Sequence, residues 1–303
     1  MLSVLRVDHP LWRLLRPLYL RGQNPYPPVV ALAAYFDGSK NREHGIIAVA
    51  GYLGIVEMWD GRFTPTWRKV IDSAPHPITE FKASDCRNGF GEFGEPWTKE
   101  ERNDLTRDFV DVIISPAHQP LGLGAAVQMD YADFETEELR EQIEDFAFFW
   151  CFSAVARDAI RLSDGILGND RLHCIFDNDP RTKGRARQAF EGTLDIAAPT
   201  FLSRIREPAF EDSEELPPLQ AADLLAHETY KELSNRRQVP PRTPSIALSR
   251  LVNAAYHYGY WVPLSQAIGV VEQMRRGQTP PTVAAPRLYD SSAHEKICRS
   301  ADG

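Results

Sequence analysis

Cysteine is scarce in this chain. Its 303 residues hold four, Cys86, Cys151, Cys174 and Cys298, and no two of them form a C-x-x-C pair. That excludes a zinc knuckle and a thioredoxin-like redox motif, gives no disulfide framework, and fits a reducing cytosol. Long apolar runs are missing as well. The longest, Phe146 to Ala156, is closed by Asp145 and Arg157, about half of the roughly 20 residues a membrane helix needs. Positive charge is not in excess: 34 Lys and Arg stand against 42 Asp and Glu, for a net charge of −8. No global field therefore draws a polyanion, and a nucleic acid would need a local basic lining or bridging cations. There is no G-x-x-x-x-G-K-[ST], no G-x-G-x-x-G after a strand, no H-E-x-x-H and no G-x-S-x-G. A P-loop nucleotidase, a Rossmann dehydrogenase, a zincin and a standard α/β-hydrolase all lose their carrying motif.

What is present is ordinary globular material, 43 % apolar and 25 % charged, enough for a sizeable core. An arginine- and leucine-bearing arm (1–28) precedes the first clear element. Val29 to Asp37 and Gly45 to Leu53 are short apolar runs joined by a polar turn, which predicts an antiparallel hairpin of buried strands. Trp59, Phe63, Trp67 and Val70 recur at helical spacing, although Pro65 falls in the middle. Ile78 to Ala83 reads as a short strand or loop, and Asp85 to Glu95, rich in glycine, as a surface loop. Thr98 and Glu101 form a capping box that opens a helix to Ser115. A strand at 121–129, a long helix over 137–162, a strand at 172–176, a basic helix over 183–196, a short strand at 201–205 and a helix over 218–233 follow. Beyond 236 the chain reads as a linker, a helix over 245–258 and an irregular end. The core is thus expected over 29–236, with 237–303 as a helical and irregular extension. Strands in a hairpin and then alternating with helices give a mixed-sheet α/β fold.

The chemistry lies in acids at element ends. Asp37 leaves an apolar strand, and a carboxylate there costs several kcal/mol unless paired or metal-bound; a turn-capping Asp before Gly38 is the bland alternative. Glu80 lies in ITEFKASD, where it could simply pair with Lys82. Asp177 ends a second apolar strand, with Asp179 close by, and could be an Asx-turn before Pro180. Asp223 sits among the packing residues Leu219, Ala222, Leu225 and Ala226, where an interhelical ion pair is the alternative. His227 is one helical turn away. Four carboxylates at element ends form a joint signal, and oxygen-only clusters favour hard cations such as Mg²⁺ or Mn²⁺.

The segments YFDGSKN, VAGYLG, ITEFKASD, FDND and above all FEDSEELPPLQAADLLAHETYK resemble the domain-of-unknown-function 3800 family, a divergent branch of the ribonuclease H-like (retroviral integrase) superfamily. The resemblance covers roughly residues 30–235 and is most specific at Gln220-Ala221-Ala222-Asp223-Leu224. It implies a ribonuclease H-like sheet opened by an antiparallel hairpin, with helices on both faces. It also implies four metal-binding and catalytic acids: Asp37 on the first strand, Glu80, Asp177 on a later strand, and Asp223 on the last helix. The activity implied is a divalent-metal-dependent nuclease, with Mg²⁺ or Mn²⁺ as cofactor and DNA or RNA as partner. A non-catalytic nucleic-acid- or protein-binding module and a metal phosphohydrolase of a small substrate are the alternatives. Lys82, Arg181, Lys183 and Arg185 are the expected phosphate contacts, with Arg187 on the same helix. Ser39, Gln220 and Asp179 are expected as hydrogen-bonding support. Three departures stand out: Gly38 occupies a position where many members carry a second acid, Glu80 is not on an evident helix where ribonuclease H carries its glutamate, and Asp85 and Asp179 compete for ligand roles. No membrane partner is expected, a cytoplasmic setting is, and a homo-oligomer is left open.

Overall fold

A computed structural model describes residues 32–118, 120–163, 172–196, 203–276 and 287–290; the expected N-terminal arm lies outside them. The strands are β1 (Leu32–Asn41), β2 (Ile46–Ile55), β3 (Leu121–Gln128), β4 (His173–Asp177), β5 (Ala209–Glu211), β6 (His257–Pro263) and β7 (Arg287–Asp290). They form one mixed sheet in the order β5-β4-β1-β2-β3-β6-β7. The hairpin is present: β1 pairs antiparallel with β2, which pairs antiparallel with β3. β4 lies parallel to β1 and β5 parallel to β4. Every residue of β2 is buried, as an apolar strand covered on both faces must be.

Consecutive residues of β1 report what covers each face. Phe36 packs on Phe176, whose ring meets Phe152, and Gly38 lies against Phe148. Phe148 and Phe152 belong to the long helix α4 (Glu137–Ser163). Tyr35 points the other way, edge-on to Trp59. So does Asp37, which meets Asp223 on α6 (Pro217–Arg237). The sheet thus carries α4 on one face and α6 on the other.

Pro65 does not break its helix. The chain turns through a π-helical segment at Trp59–Phe63, and α1 (Thr64–Asp72) begins there with Pro65 in its first turn. In that turn the missing N–H of proline costs nothing. The glycine-rich segment expected as a loop holds a short helix, α2 (Ala83–Asn88), closed by Gly89 at φ +72. Only glycine adopts that left-handed geometry cheaply. The capping box at Thr98 opens α3 (Lys99–Ile114) as expected. α5 (Pro180–Ile196) follows β4. Of the strand expected over 201–205, residues 201 and 202 lie outside the described residues, and Ile205 forms an isolated bridge to Leu172. The segment after 236, expected as helical and irregular, holds α7 (Ile246–Ala254), β6, α8 (Leu264–Arg275) and β7. β6 joins the sheet parallel to β3, and β7 pairs antiparallel with β6.

Candidate active site

Three of the four candidate acids are delivered by two strands and one helix. Phe36 and Phe176 are partners in the parallel β1–β4 register, so Asp37 and Asp177 leave the sheet side by side. Asp223 approaches from α6, and its charge acts on the Asp37 carboxyl. Burial, and then the neighbouring Asp223 charge, push Asp37 well above the usual carboxylate range. Burial raises Asp223 to about 6, against the pull of the Ala83 N–H that donates to its Oδ2 at 2.7 Å. Asp177 is also raised by burial, with the Ser213 N–H, 3.2 Å from its Oδ1, acting the other way.

The fourth acid arrives on a segment with no regular structure, residues 78–82, bent at Thr79 and Glu80. Phe81 anchors that segment in an aromatic cluster with Trp67, Phe93 and Phe109. Glu80 and Lys82, on either side of that anchor, meet each other. Lys82 Nζ is 2.7 Å from Glu80 Oε1, and Ser213 Oγ donates to Glu80 Oε2 at 2.8 Å. Ser213 therefore ties Glu80 to Asp177, using its hydroxyl for one and its backbone for the other. The charge of Asp177 also acts on Lys82, whose pKa is raised, first by the Glu80 hydrogen bond.

Gln220 is the buried bracket behind this arrangement. Its Oε1 accepts from Trp67 Nε1 at 2.8 Å and from the Phe81 N–H at 2.9 Å, and its Nε2 donates to Ser213 O at 2.7 Å. One amide thus fixes the Glu80 segment and the Ser213 turn to the helix that carries Asp223. Ser39 lies two residues along β1 on the Asp37 face, half-buried. Asp179 accepts from the Thr182 N–H at 3.0 Å and caps α5. Asp85, on α2, is half-buried and contributes to the field at Lys82. A Cβ on Gly38 would come within 2.7 Å of the Phe148 ring, on the face away from Asp37. An acid at position 38 therefore fits neither the space nor the site.

Of the basic residues, Lys82 is at the cluster and half exposed. The side chain of Arg181 lies outside what is described. Lys183 donates to Asn178 Oδ1 at 3.1 Å and sits over the Phe210 ring; Arg187 shares that ring. Arg185 is held by Glu144 Oε2 at 2.9 Å and Asp145 Oδ1 at 2.8 Å. Glu144 itself was not singled out in the sequence. It is fully buried and also accepts from Lys40, Arg42 and Tyr131. Burial pushes its pKa up, but these partners outweigh burial and hold it at about 2.

The donor set of Asp37, Glu80, Asp177 and Asp223 is all oxygen, which is the chemistry of a Mg²⁺ or Mn²⁺ site. Among the described residues, however, no three His, Cys, Asp or Glu side chains converge closely enough to hold a metal ion. Asp37 and Asp223 accept from the Gly38 and Ala83 N–H groups, while Glu80 is turned to Lys82 and Ser213. A cation there would displace the protons that the raised pKa values favour.

No protein-family model, no curated protein and no solved structure matches this chain. The site is therefore read from its own geometry. No helix among the described residues is long and apolar enough to cross a membrane.

Proposed function

We propose that the chain is a divalent-metal-dependent nuclease on a ribonuclease H-like fold. The observation that carries this reading is the pairing of Asp37 with Asp223 beside Asp177. A structural protein gains nothing from half-buried carboxyls that repel one another, since replacing either would relieve the strain. The sheet opened by an antiparallel hairpin, with helices on both faces, supports the fold half of the proposal.

Asp37, Asp177 and Asp223 would hold the cofactor by closing up on it, with Glu80 at the edge. Mg²⁺ or Mn²⁺ there would supply the positive charge and the acidified water that phosphodiester hydrolysis requires. The protein's own part is positioning. Gln220 keeps the Glu80 segment against α6, and Lys82 can turn its amine from Glu80 to a substrate phosphate.

The test is cleavage of single-stranded and duplex DNA and RNA with Mn²⁺ or Mg²⁺. Asp37→Asn and Asp223→Asn are expected to fall to background, and EDTA to stop the wild type. Undiminished cleavage by Asp37→Asn in the presence of EDTA would overturn the proposal.

A further inference from the structure

A second feature lies directly behind the acid cluster. A cavity of about 700 Å³ opens between α2, α3, α6 and the segment leading into α7. It reaches the cluster at Ala83, whose N–H binds Asp223, and at Leu224, the next residue of α6. Its lining is strongly basic in a chain that is acidic overall. Four of the lining cations are engaged: Arg102 with the Trp97 carbonyl, Arg107 with Asp104, Lys231 with Glu228 and Arg250 with Asp111. Arg87, Lys99 and Arg242 have no carboxylate partner among the described residues, and all three are exposed. The cavity wall also holds His227, only 4 % exposed, with no hydrogen-bond partner for its Nε2. Three uncompensated cations and an unpartnered buried nitrogen around one concavity describe an anion site.

The lining also limits the anion. Phe81 is its one aromatic ring besides His227, and Phe81 is 1 % exposed inside its own cluster. No flat ring is therefore offered for a base to stack on. Cavities of this volume enclose a drug-sized ligand, which corresponds to one or two nucleotides of a single strand and not to a duplex. We propose that this cavity binds the phosphates of a single nucleic-acid strand running to the acid cluster, without reading its bases. The substrate class follows from the nuclease reading above, on which it rests. The phosphate site itself stands on the cavity alone. It places the strand on the α2–α3–α6 side, away from the α5 cations that the sequence suggested.

The experiment is fluorescence anisotropy of the full chain with labelled oligothymidylate and oligouridylate of ten nucleotides, in EDTA so that nothing is cleaved. Arg87→Ala/Arg242→Ala is compared with Arg276→Ala, an exposed arginine beyond α8 that matches the type of charge removed. The wild type is expected to bind both strands alike. The double variant is expected to bind about tenfold or more weakly, and its log K against log salt slope to fall by about 0.7 for each cation removed. Arg276→Ala should keep the wild-type slope. Because Arg87 and Arg242 are exposed, the variants should unfold at the wild-type urea midpoint, and Arg87→Glu gives a second reading of the same site. Equal affinity and slope in wild type and double variant, or no binding by wild type, overturns the proposal. If the strands bind through these arginines but are never cleaved with Mn²⁺, the phosphate site stands and the nuclease reading falls. If cleavage proceeds with unchanged KM in the double variant, the nuclease reading stands and this site falls.

Discussion

Asp37 and Asp223 face one another between β1 and α6, and burial raises the pKa of both. Among the described residues neither has a cation hydrogen-bonded to it. Their nearest polar contacts are the backbone N–H groups of Gly38 and Ala83. A pair of this kind makes metal-free stability depend on pH in a definite direction.

Both carboxyls have folded-state pKa values above their unfolded ones, so their contribution is fully present below about pH 4. It is lost as pH rises through about 6 for Asp223, and as pH rises through the raised pKa of Asp37. Urea unfolding in EDTA should show the wild type losing about 2 kcal/mol between pH 5 and pH 8 from this source. Asp37→Asn removes one titrating partner and should flatten the profile. Superimposable pH profiles for the two proteins would show that the pair is not coupled as described.

Metal binding should act on the same two residues. Calorimetry with Mn²⁺ at pH 7 in two buffers of different ionisation enthalpy is expected to reveal proton release on binding, since a cation lowers the raised carboxyl pKa values. Asp37→Ala and Asp223→Ala should lose both the heat and the Mn²⁺-induced rise in melting temperature. Mn²⁺ binding with no proton release would place the cation elsewhere.

Gln220→Ala is expected to cost about 2–4 kcal/mol, because it removes three hydrogen bonds and strands buried groups on Trp67 and Phe81. The loss should appear in denaturant midpoints without metal. A change under about 0.5 kcal/mol, typical of a surface site, would mean that water replaces the amide.

Glu144→Ala leaves Lys40, Arg42 and Arg185 without their common partner and is expected to cost about 3–5 kcal/mol. The depressed pKa of Glu144 gives the opposite pH dependence to the aspartate pair. Its contribution is present above the unfolded carboxylate pKa and is lost as pH falls through about 2. Acid titration of the unfolding midpoint should therefore separate wild type from Glu144→Ala above pH 4 and bring them together near pH 2.

The parts legible in the sequence are those fixed by local pattern. The β1–β2 hairpin follows from two apolar runs and a polar turn, and Asp37 and Asp177 from carboxylates at the ends of such runs. The helix of Asp223 follows from the spacing of Leu219, Ala222 and Leu225. What escaped depends on distant partners. β5 is three residues long, Ala209–Glu211, too short to show a period. His257–Pro263 became a strand only because β3 offered an edge. Glu144 precedes an apolar run and looks like a helix-surface acid until Arg42 and Arg185 meet it. Arg242 stands out in the sequence only as part of a basic cluster with Arg236 and Arg237, weighed against a solvated loop, while Arg87 and Lys99 are ordinary solvated cations; folding alone sets Arg87, Lys99 and Arg242 around one cavity.

The sheet also imposes an order in time. β1 and β2 are joined by a four-residue turn and pair antiparallel, so their contacts close a short loop and can form early. The parallel partnership of β1 with β4 and the docking of α6 join segments far apart along the chain, the slow kind of contact. A chain emerging from the ribosome, N-terminal first, builds its hairpin with a solitary Asp37 on β1. The second and third aspartates arrive only with the C-terminal half. In refolding, protection by Mn²⁺ should therefore be the last property regained, after the hairpin amides have stopped exchanging. The cluster reports completion of the fold.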